Sequence, residues 1–554
     1  MASPNHNHLS PPRMETSHSQ SSNNTWSGFT SSSHATACNP SQDIDIITAW
    51  NLNEPAPRTL VLCFDGTGDQ FDADNSNIIK LFTMLQKDDP AQQLVYYQAG
   101  IGTYTPPQIA TPRTATISKA LDEAIAIYLN AHVMSGYEFL MQNYQAGDKI
   151  CLFGFSRGAY TARALAGMIH KVGLLPKDNH QQVPFAYHMF CRADETGWKQ
   201  STAFKKAFSM DVDIHFIGVW DTVCSVGLLA KELPFVSSNG AIKTFRQALS
   251  LDEHRAKFKA NHYNRPTDAE AKLGTKPGEM PKPGVRRRFN LFDKHRLSVP
   301  VPIDEDEDER KEAQEETQFS SADGHNNMTD VLEVWFAGCH CDVGGGSVPN
   351  DSIHNLARIP LRWMIREIFD TNVGLRFHSD LLKQVGLEPK SLFPQVLERP
   401  PAITELSPDV AKAVLDQEEW RMNAKKLQKK GRTAADIEKE IGREPVVVLT
   451  EEEEDFVDAH CDIYDQLKLA LWWWILEIIP FQHRTQNTEG KWSRQWYINW
   501  GRGRAVPDPV DERAEFNVHR TVQTRLNAKT LKGGPYKWNA RFLNGKKQQP
   551  NYVP

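Results

Sequence analysis

The run K-I-C-L-F-G-F-S-R-G, from Lys149 to Gly158, decides the fold. Its first half is short and apolar, as in a buried strand, and a helical pattern begins just after Gly158. A serine between two glycines at a strand-to-helix junction is typical of a sharp turn that lifts the serine hydroxyl above a sheet. The junction therefore predicts that Ser156 is a nucleophile.

The segments around this junction indicate the fold class. Four more runs are short, apolar and rich in β-formers, and helical patterns lie between them. The runs are Thr59–Phe64, Leu94–Tyr97, Ile214–Trp220 and Leu332–Ala337, and the clearest helical patterns are Ile117–Asn143 and Thr161–Val172. Strands that alternate with helices predict a mainly parallel sheet covered on both faces. Together with the turn at Ser156, the pattern predicts an α/β fold of the α/β-hydrolase type.

Two later residues are candidates for the groups that activate Ser156. A serine hydroxyl is a weak nucleophile and needs a base that is itself oriented by an acid. Asp221 directly follows the strand pattern Ile214–Trp220, and His340 follows Leu332–Ala337 in a glycine-rich loop. This is the chain order of acid and base in the fold. We therefore expect Asp221 to be the acid and His340 the base.

Other roles remain open at these positions. Asp221 is also a suitable cap for a following turn. His519, in F-N-V-H-R-T-V, follows the acid in sequence as well and is a rival base. Asp342, two residues past His340, is a candidate supporting carboxylate that fixes the glycine loop.

Backbone amides near Ser156 are candidates for the oxyanion hole, which needs two donors. One is the amide of Arg157, at the start of the helix. The second would come from Gly66 or Thr67, in the loop D-G-T-G after the first strand pattern. Asp65 is expected to orient that loop through its own hydrogen bonds.

Composition bounds the class of protein. The 554 residues are 40% hydrophobic with a net charge of −6, which is typical of a soluble globular protein and argues against a nucleic-acid binder. The eight cysteines are scattered, which predicts reduced thiols rather than a disulfide framework. Cys339 and Cys341 flank His340, but neighbours on alternating sides of a strand make a poor tetrahedral site. We expect neither a metal nor another cofactor.

The chain divides into a tail and one elaborated domain. Residues 1–56, rich in Ser, His, Asn and Thr, are expected to be a disordered tail. Residues 57–400 are predicted to form the catalytic domain, with a charged flexible insertion over 264–328. Residues 401–554 are predicted to be a helical cap and C-terminal region that complete the same domain. No signal peptide or transmembrane helix is evident, which predicts a cytoplasmic protein.

The most apolar stretch is L-K-L-A-L-W-W-W-I-L-E-I-I-P-F, from Leu467 to Phe481. It is too short to span a bilayer. One interpretation is a helix that packs in the core or between subdomains. The other is a lid or membrane-facing helix near a lipid site, because tryptophans favour the interface between water and lipid.

Five motifs together resemble one family. They are Phe64–Thr67 (F-D-G-T), Gly154–Tyr160 (G-F-S-R-G-A-Y), Val219–Val223 (V-W-D-T-V), Ala248–Arg255 (A-L-S-L-D-E-H-R) and Gly338–Gly346 (G-C-H-C-D-V-G-G-G). The family is the α/β-hydrolase domain family that includes type VI secretion phospholipase effectors (Tle-type). Phe516–Arg525 resembles its closing element. The Ser- and His-rich tail suits a fungal member.

The resemblance implies a lipase or esterase with phospholipase A-type activity in the secreted bacterial members. Carried over by position, the Ser-Asp-His triad would be Ser156, Asp221 and His340. The chain departs from the family in Cys339 and Cys341, where a small aliphatic residue and a serine are expected, and in its long insertions. The hypothesis is thus a serine hydrolase that cleaves carboxylic esters through an acyl-enzyme. The alternative is a non-catalytic scaffold for protein or membrane interaction.

Overall fold

The structure is a computed structural model. It describes residues 45–51, 55–67, 69–100, 114–192, 194–223, 233–236, 239–264, 329–486, 492–507, 515–542 and 548–554. The described residues from Asp45 to Pro554 form one compact unit. The charged insertion expected over 264–328 lies outside the described residues from residue 265 onward.

Eight parallel strands form the central sheet, in the order β3-β2-β4-β5-β6-β7-β12-β14. The strands of the chain are β1 Ile46–Thr48, β2 Thr59–Phe64, β3 Gln93–Gln98, β4 Lys149–Phe155, β5 Ile214–Trp220, β6 Ile242–Ser250, β7 Asp330–Phe336, β8 Arg376–His378, β9 Pro480–Gln486, β10 Trp492–Ile498, β11 Ala505–Val506, β12 Phe516–His519, β13 Arg541–Phe542 and β14 Pro550–Val553. The short pairs β1–β8 and β9–β10 are antiparallel, and β11–β13 is parallel.

Helices cover both faces of the sheet. They are Asn77–Met84, Thr114–Asn143, Arg157–Val172, Val183–Cys191, Glu195–Phe208, His340–Gly344, Arg358–Asp370, Ser379–Lys383, Pro408–Lys429, Ala434–Ile441, Glu451–Ala459, Gln466–Leu469, Trp474–Glu477 and Arg520–Asn527, with 3-10 turns at His180–Gln182, Pro389–Ser391 and Leu471–Trp473. Among the described residues no helix is long and apolar enough to cross a membrane.

Strand β2 shows why the sheet is buried on both sides. Alternate side chains of a strand point to opposite faces. Leu60 and Leu62 pack in one apolar cluster with the helix Arg157–Val172, while Val61 packs in a second cluster with the helix Arg358–Asp370. The predicted α/β-hydrolase fold, with a parallel sheet between helical layers, is confirmed.

Two predicted regions differ from the structure. The tail does not reach residue 56, because Ile46–Thr48 pairs with Arg376–His378 as strand β1 and Ile47 is buried. The two isoleucines of this short run supply apolar side chains that the polar composition around them obscures. The predicted helical cap over 401–554 also contains strands, since β12 and β14 complete the central sheet.

The stretch Leu467–Phe481 is not a core helix. It breaks into the short helix Gln466–Leu469, a 3-10 turn and the helix Trp474–Glu477 before strand β9 begins at Pro480. Its buried residues are Leu467, Glu477 and Phe481. The interpretation as a core helix is wrong, because most of the large apolar side chains of the segment are exposed.

Candidate active site

The turn at Ser156 has the geometry of a nucleophile elbow. Ser156 follows strand β4 and has φ 58° and ψ −121°, a conformation that non-glycine residues rarely adopt. A Cβ on Gly154 would lie 2.5 Å from the backbone of Ala159, and one on Gly158 would lie 2.3 Å from the carbonyl oxygens of Phe64 and Asp65. Both flanking positions therefore require glycine, because strand and helix approach too closely for any side chain.

Asp221 and His340 are in direct contact beside this turn. Asp221 directly follows strand β5, the neighbour of β4 in the sheet, and the Ser156 amide donates to the carbonyl oxygen of Trp220 at 3.0 Å. His340 Nδ1 lies 2.5 Å from Asp221 Oδ2. His340 Nε2 is buried and has no hydrogen-bond partner among the described residues. The imidazole is thus held through Nδ1, and Nε2 is available to accept a proton.

The carboxylate of Asp221 is fully hydrogen-bonded. Besides His340, it accepts from the Ser250 amide at 2.9 Å and from both terminal nitrogens of Arg504, with Arg504 Nη2 at 2.8 Å from Oδ2. Burial alone would raise the pKa of Asp221, but the charge of Arg504 and the hydrogen bond with His340 lower it below its ordinary value. The described partners of the Asp221 carboxylate thus all favour its ionised form.

Sequence reasoning missed Arg504. It lies in G-R-G-R near the C-terminal end, and its side chain is 1% exposed. The two arginines alternate with glycines, so this stretch shows no apolar periodicity and has no carboxylate at a recognisable spacing. Nothing in the local sequence therefore points to a contact with Asp221. The contact follows only from the tertiary fold.

Aromatic rings and a second ion pair enclose His340. The Phe155 and Phe258 rings lie 4.7 and 4.8 Å from the imidazole, centroid to centroid. Glu253 Oε2 accepts from the His340 amide at 3.3 Å and pairs with Arg255 at 2.8 Å. Burial lowers the pKa of His340 despite the opposing effect of Asp221. A lowered pKa keeps the imidazole neutral, as a general base must be.

The loop after β2 lies beside the elbow, and Asp65 orients it. Asp65 accepts hydrogen bonds from Ser76 Oγ at 2.6 Å, Tyr97 Oη at 2.8 Å and the amide of Gly66 at 2.8 Å. The Gly66 amide is thus engaged by Asp65, which argues against Gly66 as an oxyanion donor. Thr67 Oγ1 is buried with no partner among the described residues, so the hydroxyl of Thr67 is a candidate donor in this loop beside the predicted Thr67 amide.

Asp342 and His519, the other two candidates, make contacts that stabilise the local structure. Asp342 accepts from the amides of Cys339 at 2.9 Å and Tyr464 at 3.0 Å, and burial raises its pKa to about 7. It fixes the loop that carries His340. His519 Nδ1 lies 2.8 Å from Thr521 Oγ1, and its ring stacks on Phe336 at 5.0 Å. The described contacts of His519 therefore place it in the packing of strand β12, whereas His340 contacts the acid.

One group of side chains in the described part of the chain has the spacing of metal ligands, namely His354, Glu454 and Asp458. Arg358 Nη1 lies 2.7 Å from Glu454, 3.2 Å from Asp458 and 3.1 Å from His354 Nδ1. A guanidinium among the three ligand atoms repels a cation. This cluster is an ion-pair network.

Comparison with known proteins identifies the family. The profile described as "T6SS, Phospholipase effector Tle1-like, catalytic domain" matches residues 58–367.

The chain belongs to the Tle1-like phospholipase effector family.

This membership confirms the resemblance seen in the five motifs and indicates a hydrolase of the lipase or phospholipase type. A curated relative is the uncharacterised protein YEL023C of Saccharomyces cerevisiae, 31% identical over 551 residues, 85% of this chain and 79% of the relative. The yeast relative supports a fungal member of the Tle1-like family.

Two solved structures are more distant. An uncharacterised protein from Pseudomonas aeruginosa is 15% identical, with a TM-score of 0.28 over 78% of this chain and 70% of its own. The Tle1 effector bound to the VgrG spike of the type VI secretion system is 18% identical, with a TM-score of 0.23 over 54% and 53%. The assignment to the Tle1-like family rests on the sequence matches.

The Tle1-like match covers most of the site but not all of it. Ser156, Asp221 and His340 lie within residues 58–367. Arg504, which holds Asp221, lies outside the matched residues, as does the apolar stretch Leu467–Phe481. The C-terminal region thus contributes to a site whose other groups belong to the family's catalytic domain.

Proposed function

We propose that this chain is a serine hydrolase that cleaves carboxylic esters of phospholipids through an acyl-enzyme. His340 Nε2 takes the proton of Ser156 as the oxygen attacks the ester carbonyl. The same nitrogen returns the proton to the leaving alcohol when the carbon–oxygen bond breaks. A water molecule, deprotonated by His340, then hydrolyses the acyl-enzyme, releases the fatty acid and restores the hydroxyl of Ser156.

The observation that carries this proposal is the pairing of His340 with Asp221 next to a strained serine turn. The base is held by an ionised acid at 2.5 Å, and its second nitrogen is free of other partners among the described residues. A buried polar atom without a partner carries a penalty of about 1–3 kcal/mol. A substrate or serine hydroxyl at this nitrogen would remove that penalty.

The negative charge that develops on the substrate oxygen must be stabilised by hydrogen-bond donors. The amide of Arg157 opens a 16-residue helix whose first amides have no intrahelical acceptor and whose dipole favours an anion. Thr67 supplies the second donor, because the amide of Gly66 already donates a hydrogen bond to Asp65. Removing one such donor lowers kcat by about 100- to 1,000-fold.

An exposed apolar surface close to His340 supports a lipid substrate. Trp473 lies 5.6 Å from the Phe258 ring, which in turn lies 4.8 Å from the His340 ring. Around Trp473 large apolar side chains face solvent, a set that we call the Trp-rich surface. It comprises Leu469, Leu471, Trp472, Trp474, Ile475, Ile478, Trp496 and Trp500, each at least 41% exposed. Exposed apolar patches with tryptophans fit a membrane interface, so we propose that this surface rests on the lipid.

A fluorophosphonate probe tests the chemistry directly. It should label Ser156 in the wild type and leave Ser156→Ala unlabelled, and the variant should lose hydrolysis of short esters and of phospholipid vesicles. Ser201, which is buried and donates to the carbonyl oxygen of Trp198 at 2.9 Å, offers the matched control Ser201→Ala. Equal hydrolysis by wild type and Ser156→Ala would refute the mechanism. Absence of labelling in folded wild type would support the non-catalytic scaffold instead.

The cytoplasmic location predicted from the sequence belongs to this proposal as well. Cell fractionation, with activity followed in the soluble and membrane fractions, tests it.

A further inference from the structure

Arg504 contacts the acid of the candidate triad and also the loop that packs on its base. Its terminal nitrogens bind both oxygens of Asp221, and its Nε and Nη2 donate to the carbonyl oxygen of Phe258 at 2.9 and 2.6 Å. The Phe258 ring packs on His340 at 4.8 Å. One buried side chain therefore holds the acid and also the loop whose ring packs on the base.

We infer that Arg504 is a positioning residue for catalysis, which fixes the orientation of Asp221 and holds the loop of Phe258 against His340. This inference rests on the proposed function of the same site. A planar guanidinium suits the task because its two donors match the two oxygens of a carboxylate, whereas a lysine offers a single point of charge.

The backbone conformation of Asp221 is one that such a clamp would stabilise. Asp221 has φ 48°, outside the region that a non-glycine residue prefers. A strained conformation persists only when its surroundings hold it. The described contacts that hold this carboxylate are Arg504, the Ser250 amide and His340 itself. Without Arg504, the orientation of the acid would depend on one amide and on the base that it is meant to orient.

Arg504 also changes the charge that His340 meets. The largest effects of charged groups on the pKa of His340 come from Asp221, Arg255 and Glu253. Arg255 pairs with Glu253, so those two charges largely offset each other. Arg504 offsets Asp221 in the same way. Removing the guanidinium would take a positive charge away from the Asp221–His340 pair, which raises the proton affinity of the pair and moves its titration to higher pH.

The test compares pH profiles of full-length wild type, Arg504→Gln and Arg504→Lys on a soluble ester, with each rate divided by the sites that a fluorophosphonate labels. We expect Arg504→Gln to lose about 100-fold in kcat, since misplaced catalytic groups have effects of that size. The acid limb of its pH–rate profile should move to a pH about one unit higher, because a neighbouring positive charge is lost. Arg504→Lys should keep the wild-type acid limb, because the charge remains, and lose about tenfold in kcat.

Arg362 provides the matched control. It is also 1% exposed and bound to carboxylates, those of Asp455 and Asp458. Arg362→Gln should lower the stability of the protein. Its rate per labelled site should keep the same acid limb as the wild type. A wild-type acid limb and kcat in Arg504→Gln would overturn the inference. If Arg504→Gln does not fold, a wild-type kcat in Arg504→Lys overturns it. Failure to label Ser156 in the wild type would instead refute the proposed function, so the two failures are distinguishable.

Discussion

Ser156 and Asp221 both have positive φ angles, 58° and 48°, although neither is a glycine. Conformations of this kind carry roughly 1–3 kcal/mol each and survive where neighbouring structure enforces them. At Ser156 the enforcement comes from the close approach of Gly154 to Ala159 and of Gly158 to Phe64. At Asp221 it comes from Arg504 and the Ser250 amide. The strain aims both side chains at the same edge of the sheet.

The identity of the base gives a prediction at the scale of single residues. A base works only when neutral, so activity is present above its pKa and is lost as pH falls through it. Because burial lowers the pKa of His340, we expect the acid limb of kcat/KM below the usual histidine value of about 6.5. Rates on a soluble ester across this range check it.

Variants of the two histidines complete that prediction. His340→Phe should be inactive, whereas His519→Phe should keep the acid limb and the rate, because a phenyl ring can replace the stacking on Phe336. The pKa of His519 is lowered to about 3 by burial. An acid limb near that pH, or an inactive His519→Phe that still folds, would assign the base to His519.

The acidic run Glu451–Asp455 shows how one element depends on another. It opens the helix Glu451–Ala459, where carboxylates suit the helix dipole. Arginines of the helix Arg358–Asp370 face it, with Arg362 at 2.6 Å from Asp455 and Arg366 at 2.5 Å from Glu451. The two ends of the run, Glu451 and Asp455, are thus buried against their counter-ions.

This network predicts a stability change at the scale of the element. Asp455→Ala should lower the free energy of unfolding by about 1–3 kcal/mol, because Arg362 and Arg399 would each lose one buried carboxylate partner, although they would keep Asp458 and Glu452. Burial opposes ionisation, but the two arginines lower the pKa of Asp455. Its contribution is therefore present above the unfolded pKa of about 4 and lost as pH falls further.

Urea denaturation at neutral and acid pH measures both effects. The matched control is Glu438→Ala, which breaks an exposed pair with Arg443 at 2.6 Å and should change stability by less than about 1 kcal/mol. An equal loss in the two variants would contradict the buried network.

Elements that are uniformly apolar could be predicted from the sequence, and polar ones could not. The bounds of strands β2 and β5 agree with the apolar runs Thr59–Phe64 and Ile214–Trp220. Strand β6 was missed because it carries Arg246, whose partners Asp330 and Glu367 lie far along the chain. Arg504 escaped notice for the same reason. Glycine spacing and strand ends have local signatures, whereas a buried ion pair is defined only once the chain has folded.

At the scale of the whole molecule, the candidate triad is closed off from solvent. Ser156 is 4% exposed, His340 3% and Asp221 is fully buried. Glu477, also fully buried, accepts from the amides of Ala256 and Gly501. It thereby ties the Trp-rich surface to the loop that carries Phe258.

The proposed membrane contact gives a prediction for the molecule as a whole. Replacing Leu471 and Ile475, 72% and 64% exposed, by serine removes two side chains that would enter the lipid. Each such side chain contributes about 1.5–3 kcal/mol when buried, so the ratio of vesicle to soluble-ester hydrolysis should fall at least about tenfold. Phe185 and Leu415 are exposed to a similar degree, 61% and 64%, outside the Trp-rich surface. Replacing those two by serine should leave the ratio unchanged, since their loss removes apolar area that never meets the bilayer. Equal ratios in the two double variants would show that the Trp-rich surface does not bind lipid, and the substrate would then have to reach Ser156 from solution.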